Sequence, residues 1–318
     1  MLTFIIRRLI LAVIILTIVS FFVFFAMRLL PGDPILLIVT ATSVREYNQQ
    51  QIEQLRHEHG LDKPLIVQYV DFTGKALRGD FGVSIFDHRP VRPEIMKRAV
   101  ISVYIGIASW IIGHIIGIPL GIIAAMRRGT WLDNLVVFLS NIGITVPSFW
   151  LGMILVYLFS LRLGWLPTMG FTSPFDDFWL STKQVIMPLA CLVVNPISGS
   201  SRQMRSSLLE VMHQDYIRTA WSKGLRERVV VFKHALRNGI IPVVTLAGVH
   251  LSIIIGGAVI IEMVFNIPGM GRLLVTSIIN KDYPYVQCII LLIASSIVLI
   301  NLLVDLAYGW FDPRVRFD

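Results

Sequence analysis

Three stretches of this sequence run on without Asp, Glu, Lys or Arg for longer than a soluble fold ordinarily tolerates. They are Leu9–Met27, Ala99–Met126 and Asn134–Leu161, of 19, 28 and 28 residues. At a 1.5 Å rise per residue, about 20 helical residues cross the roughly 30 Å of bilayer hydrocarbon. Inside lipid the backbone has no water to bond, so a single segment satisfies its own amides and carbonyls by coiling into a helix. Composition agrees: the 318 residues are 55% hydrophobic and 15% charged, where an average chain is about a quarter charged. The sequence predicts an all-α polytopic membrane protein.

Three further apolar stretches are shorter or interrupted: Gln184–Ser201 with Pro188 and Pro196, Gly239–Ile261 with Gly256-Gly257, and Tyr283 to about Tyr308. Together they predict six transmembrane helices. Leu9–Met27 exceeds the core of a signal peptide and no small-x-small cleavage pattern follows, so it reads as an uncleaved first helix. Leu30-Pro31-Gly32-Asp33-Pro34 ends it, because proline and glycine do not continue a helix cheaply. Pro119 predicts a kink in the second span, and Val146-Pro147-Ser148 interrupts the third, where the proline is expected to loosen the helix without ending it. Gly113, Gly117 and Gly121 recur every four residues and leave one helix face bare for close packing.

Six spans put both termini on one side of the membrane. Short loops on that side hold fourteen Lys/Arg: Arg7, Arg8, Arg127, Arg128, the eight between 202 and 237, Arg314 and Arg316. The other side holds four, Arg162, Lys183, Arg272 and Lys281. Cytoplasmic loops carry the excess of Lys and Arg, so the termini and the 202–240 loop are expected in the cytoplasm. The expected organisation is an N-terminal helix (1–30), an extracytoplasmic segment (31–98), a five-helix core (99–310) and a cytoplasmic tail (311–318). The net charge of +8 is thus distributed by topology rather than gathered into a nucleic-acid surface.

Little in the chain points to catalysis. It has no G-x-x-x-x-G-K-[ST] phosphate loop, so it is not expected to hold ATP itself. It also lacks G-x-S-x-G and H-E-x-x-H motifs. Cys191 and Cys288 fall in apolar stretches and read as small buried hydrophobes. His57-Glu58-His59 lacks metal-site spacing and reads as a solvated face of a helix over Val44–His59. Ionisable residues in or beside the spans are His114, His250, Glu262 and Asp305, and such residues usually face a cavity or a partner. Gly256, Gly257 and Glu262 are candidates for a gate. Packing glycines and a snorkelling or capped interfacial carboxylate account for the same residues.

The stretch Asp215–Pro242 is strongly basic yet lies between spans. Asp215 suits a helix start and Lys223 its last turn, while Gly224 suits the left-handed position beyond it. That short helix places Tyr216, Ile217, Ala220 and Trp221 on one face, with Arg218 directed elsewhere. Such a stub fits another protein's groove, and it equally fits lipid headgroups.

Here a family resemblance enters. Arg218-Thr219-Ala220, three residues, then Gly224 resembles the Glu-Ala-Ala-x-x-x-Gly coupling loop of ABC-importer permeases, keeping Ala220 and Gly224. The runs PGDP, GLDKP, PSFWLG, LGWLP, DYIRTA, KGL, HALRN and IPGMGRLL resemble the dipeptide, oligopeptide and nickel branch across nearly the whole chain. The resemblance implies a type I importer permease fold. It implies a second homologous permease, two ATPase subunits that bind ATP and Mg, and an extracytoplasmic solute-binding protein as partners. Asp215 to Ala220 with Trp221, Lys223, Gly224 and Leu225 would couple to the ATPase. The chain itself is then expected to be neither an enzyme nor a holder of any cofactor or metal. Its expected function is ATP-driven uptake of peptides or related small solutes. A proton-coupled transporter using His114, His250, Glu262 or Asp305, and a channel or scaffold without energised transport, are the competing readings.

Overall fold

A computed structural model describes residues 2–41 and 48–311. In chain order the helices are α1 (Leu2–Leu29), α2 (Pro34–Ala41), α3 (Gln49–Glu58), α4 (Leu65–Leu77), α5 (Val91–Met126) and α6 (Trp131–Thr145). Next comes α7 (Ser148–Leu155), which runs into a π-helical stretch, Val156–Arg162, and then α8 (Phe178–Met212) and α9 (Asp215–Ser222). A second π-helical stretch, Val230–Ala235, separates α10 (Glu227–Val229) from α11 (Leu236–Gly239). The chain finishes with α12 (Ile241–Gly257), α13 (Val259–Val264), α14 (Met270–Ile279) and α15 (Tyr283–Phe311). Among the described residues there is no β-strand, only an isolated bridge between Val83 and Pro90.

Four helices are long and apolar enough to cross a membrane: Ile5–Leu29 in α1, α5, α8, and Tyr283–Leu306 in α15. Two bent pairs join them. Trp131–Thr145 and Ser148–Arg162 meet at 99°, and Glu227–Gly239 and Ile241–Ser252 meet at 50°. Each bent pair counted as one span brings the total to six.

Where the helices begin and end differs from the apolar runs. α5 starts at Val91, eight residues before the charges stop, because Glu94 and Arg98 pair across one helical turn at 2.7 Å. α8 is one continuous helix of 35 residues, not a short span ending near Ser201. Asp177 caps its start by accepting from the Leu180 amide at 2.9 Å. It continues past Arg202 to Met212 because Arg205 has a carboxylate partner, described below. The helix expected over Val44–His59 is observed as α3, capped by Asn48 and Gln51 in a reciprocal capping box; Val44–Tyr47 lie outside the described residues, as does Asp312–Asp318.

The chain divides into two compact units. The first comprises Met1–Ser102 with Pro268–Val298. In it, Asp33 accepts from the Ile35 amide at 2.8 Å and pairs with Arg56, so the Pro-Gly-Asp-Pro turn both stops α1 and starts α2. His57 Nδ1 lies 2.7 Å from Asp62, whose carboxyl it holds below the usual range. Asp282 is buried at the foot of α15 and accepts from the Ser84 hydroxyl and, at 3.2 Å, from the Ile85 amide. Those bonds pin the Gly79–Pro90 turn to the rest of the unit.

Burial pushes the Asp282 carboxyl above the usual carboxylate range, and its hydrogen bonds only partly offset this. The folded state therefore binds more protons than the unfolded chain in that window, and stability is expected to rise as pH falls through the raised value. Asp282→Asn keeps an acceptor and is expected to be nearly neutral. Asp282→Ala strands a buried hydroxyl and an amide, a loss of about 1–3 kcal/mol. Thermal unfolding of the two purified variants, compared at pH 5 and pH 8, checks both the order and the pH slope.

The second unit comprises Val103–Ile267 with Leu299–Asp318. The glycine face of α5 packs on α8 as its spacing requires. A Cβ built on Gly117 would lie 2.7 Å from the Ile197 carbonyl oxygen, and one on Gly121 would lie 2.5 Å from that of Ser201. Between α6 and α8 sit buried hydroxyls: Ser140 and Ser201 are 2.7 Å apart, satisfied by each other and by the backbone. Asn266 and the residues up to Gly269 interrupt the helices; Asn266 has φ +52, and α14 starts at Met270, so Met270 and Gly271 are helical.

Candidate coupling surface

α9 is a helix of eight residues, Asp215–Ser222, starting after Gln214. Gly224 follows it with φ +70, in the left-handed region that glycine enters without strain, and its amide bonds the Trp221 carbonyl at 2.9 Å. The helix buries two residues against the rest of its unit, Ile217 (0% exposed) and Ala220 (5% exposed). They pack with Met204 and Leu208 of α8 and with Val230, Val231 and Ala235 of the following π-helical stretch. Leu225 packs against the same cluster.

This divides the apolar face read from the sequence. Ile217 and Ala220 are buried against the chain's own core and are closed to a partner, whereas Tyr216 and Trp221 are 41% and 42% exposed. The reason is geometric: residues three apart stack on one face of so short a helix, and their neighbours at i−1 and i+1 flank it. Asp215, Arg218, Thr219, Lys223 and Gly224 are exposed as well. Arg218 reaches Asp215 at 3.5 Å, and the Tyr216 hydroxyl accepts from the Asn238 side-chain amide at 2.8 Å. Two exposed residues escaped the sequence reading, Val229 and Phe232. Their signal was the run Val229–Phe232, four apolar residues inside a basic loop, which is more than the core cluster consumes.

Next to the cluster, Arg205 of α8 and Asp133 of α6 form a two-pronged ion pair. Arg205 Nε and Nη2 lie 2.5 and 2.9 Å from the two carboxylate oxygens, and the Gly129 amide donates to the second at 3.0 Å. Asp133 is buried and Arg205 mostly so. A planar guanidinium suits this geometry as a lysine would not.

The other sequence candidates lie elsewhere in the unit. Glu262 is 2% exposed; α13 carries it into the interior of the unit, where the Ile267 amide closes the turn onto its carbonyl at 2.9 Å. Gly256 and Gly257 end α12, and their side-chain surroundings lie outside the described residues. Asp305 is half-buried on α15. His114 and His250 come together, with ring centroids 5.6 Å apart.

The chain that carries this short amphipathic helix has known relatives. Residues 117–317 match the family described as "Binding-protein-dependent transport system inner membrane component", and residues 1–104 match the corresponding N-terminal family. The chain belongs to this family.

Two relatives match it end to end. It is 39% identical over 314 residues, 99% of each chain, to the probable peptide ABC transporter permease protein y4tP of Sinorhizobium fredii. It is 41% identical over 317 residues, 100% of each chain, to the glutathione transport system permease protein GsiC of Escherichia coli K12. Among solved structures, a chain of the inward-facing MetNI methionine ABC transporter superposes with a TM-score of 0.55 at 16% identity, covering 69% of this chain and 96% of that one. An amino acid ABC transporter superposes with a TM-score of 0.51 at 13% identity, covering 70% and 94%. Those two likenesses concern fold alone, and they agree with the all-helical architecture. This permease is a multi-pass protein of the bacterial inner membrane and the membrane-spanning subunit of an ABC importer.

Proposed function

We propose that this permease forms half of a translocation pore for small peptides, paired with a second homologous permease. Two ATPase subunits hold ATP and Mg and do the hydrolysis; a solute-binding protein outside the membrane delivers the cargo. The termini and the 202–240 loop face the cytoplasm, a placement supported by the distribution of Lys and Arg. Relatives named for peptide and for glutathione transport support the cargo class.

The observation that carries the coupling role is the division of α9. Its inner residues are fixed in the permease core, while Tyr216, Arg218, Thr219 and Trp221 stand outside with little to cover them. A partner that moves those outer side chains moves the bundle, because the inner ones do not slip. Reversing a pore from 99:1 inward-open to 1:99 requires about 5.5 kcal/mol, and closure of the ATPase pair upon ATP is its source.

The test uses the complete transporter in liposomes. Cys191 and Cys288 are buried, so Arg218→Cys supplies the accessible thiol of this chain. It is expected to cross-link to an ATPase subunit, and uptake of dialanine or glutathione is expected to fall to background when ATP is withdrawn. Uptake that follows the proton gradient and ignores ATP would make this a secondary transporter. Purification that never brings down an ATPase chain would make it a channel or scaffold.

A further inference from the structure

Within the first unit, α4 lies against the last three turns of α1. Tyr69 packs edge-on against Phe21 and Phe24, and its hydroxyl lies 2.9 Å from that of Ser20. Phe72 packs on Phe24, and Gln68 accepts from Arg28 Nε at 2.9 Å. Arg28 stands in the last turn of α1, with its guanidinium folded back over the Phe24 ring at 3.5 Å. A cation on a long stem at a span's end belongs at the boundary of hydrocarbon and water. Ser20 is eight residues earlier in the same helix, which at 1.5 Å per residue sets it about 12 Å deeper. Tyr69 therefore reaches into the layer that α1 crosses, and two hydroxyls bond to each other where no water serves them.

The helix has three faces, each at the spacing of one side of an α-helix. Tyr69, Phe72 and Ala76 are half-buried. Gln68, Asp71 and Lys75 are polar, the last two paired at 3.0 Å. Ile66, Val70 and Leu77 make the third face, and they are 72%, 64% and 85% exposed. Beside them is Gly74, with no atom within 4 Å of its Cβ position. An aliphatic face thus stands open on a helix whose opposite side already carries its charges.

Water is a poor occupant for such a face. A water-facing helix of the same segment has a different surface: the exposed residues of α3 are all Gln, Glu or His. The open surface of α4 is instead continuous with that of the span. Phe21 is itself exposed, and it meets the exposed Phe22 on one side and Tyr69 on the other, edge-on in both cases. A helix with one charged and one apolar side lies in the membrane interface, its apolar side among acyl chains. We infer that α4 is a membrane-seated helix, docked on α1 in the outer leaflet, with phospholipid acyl chains covering Ile66, Val70 and Leu77. The segment between the first two spans is then held to the bilayer by its own helix as well as by its ends. The choice of leaflet rests on the topology proposed above.

The experiment uses the complete transporter in liposomes of phosphatidylethanolamine and phosphatidylglycerol. Val70→Cys, Leu77→Cys and, on the charged face, Lys75→Cys each carry a nitroxide; the wild-type cysteines are buried and give the background. Oxygen, which concentrates in hydrocarbon, is expected to speed relaxation of the Val70 and Leu77 labels, while a water-soluble nickel chelate leaves them almost unchanged. The Lys75 label is expected to show the opposite order. Chelate access at Val70 and Leu77 equal to that at Lys75 overturns the proposal in favour of a solvated helix. Labels at Val70 and Leu77 that neither reagent reaches overturn it in favour of a protein partner on the same face. The leaflet is read separately: in intact cells, unlabelled Lys75→Cys is expected to react with a membrane-impermeant maleimide added outside. Reaction only after the membrane is opened overturns the topology, and the outer-leaflet assignment with it.

Discussion

Gly121→Leu is expected to abolish accumulation of the folded permease. The contacts at this position leave no route for relaxation. A Cβ there would stand 2.5 Å from the Ser201 carbonyl oxygen and 2.6 Å from the Met204 Cβ. These belong to the backbone of α8 or to its first side-chain atom, not to the free end of a side chain that swings aside. One turn earlier, Gly117 meets the Ile197 backbone in the same way. Inserting atoms into a fitted interior costs about 1–3 kcal/mol even where neighbours yield, and here α5 and α8 would have to separate. Gly121→Ala is expected to be milder but still destabilising. Gly74→Ala is the control: no atom lies within 4 Å of the Cβ position in that helix, so the change is expected to be neutral or to stabilise slightly. Membrane yield and thermal unfolding in detergent separate the three. Normal yield of Gly121→Leu would mean that the two helices are not in the contact described.

Gly224→Val is expected to leave the permease folded and to eliminate coupled uptake. Here space is not the obstacle, for nothing lies within 4 Å of the Cβ position. Conformation is. The φ of +70 costs an ordinary L-residue about 1–2 kcal/mol and a β-branched one more. The chain is expected to relieve that strain by unwinding the turn after Trp221, which displaces Trp221 and Lys223 from the positions an ATPase groove would read. Asparagine tolerates the left-handed region, so Gly224→Asn is expected to retain most uptake. The diagnostic combination is ATP hydrolysis without uptake in the valine variant, against near-normal uptake in the asparagine one. Full uptake by Gly224→Val would remove α9 from the coupling path.

How legible this protein was from sequence depended on which physical signal each feature leaves. Absence of charge over 19 to 28 residues marks a membrane span whatever surrounds it, and the glycine period of α5 marks the face that meets α8. Pro147 marked the place of the irregularity in the third span but not its size: the helix expected to continue there ends at Thr145 and turns by 99°. Helix ends were less visible, because charged residues extend a helix once they find partners. Arg202 and Arg205 looked like the start of a loop, but Asp133, seventy-two positions earlier, lets α8 run on to Met212. The interior position of Glu262 was hidden for a related reason, since nearness to the end of an apolar stretch does not say which way the next short helix turns. For α9 the helix and its glycine terminus could be read directly. Its division into an anchored and an open face could not, because Ile217 and Ala220 find their partners in residues of the same loop and of α8.

The Asp133–Arg205 clamp has a mechanical corollary. Arg205 lies two turns from the end of α8, near the root of the exposed stub, and Asp133 lies in the first turn of α6, the helix that ends at the 99° corner. A shove delivered to the stub is therefore expected to be shared between two rods, α8 and α6, tied to each other by that strut.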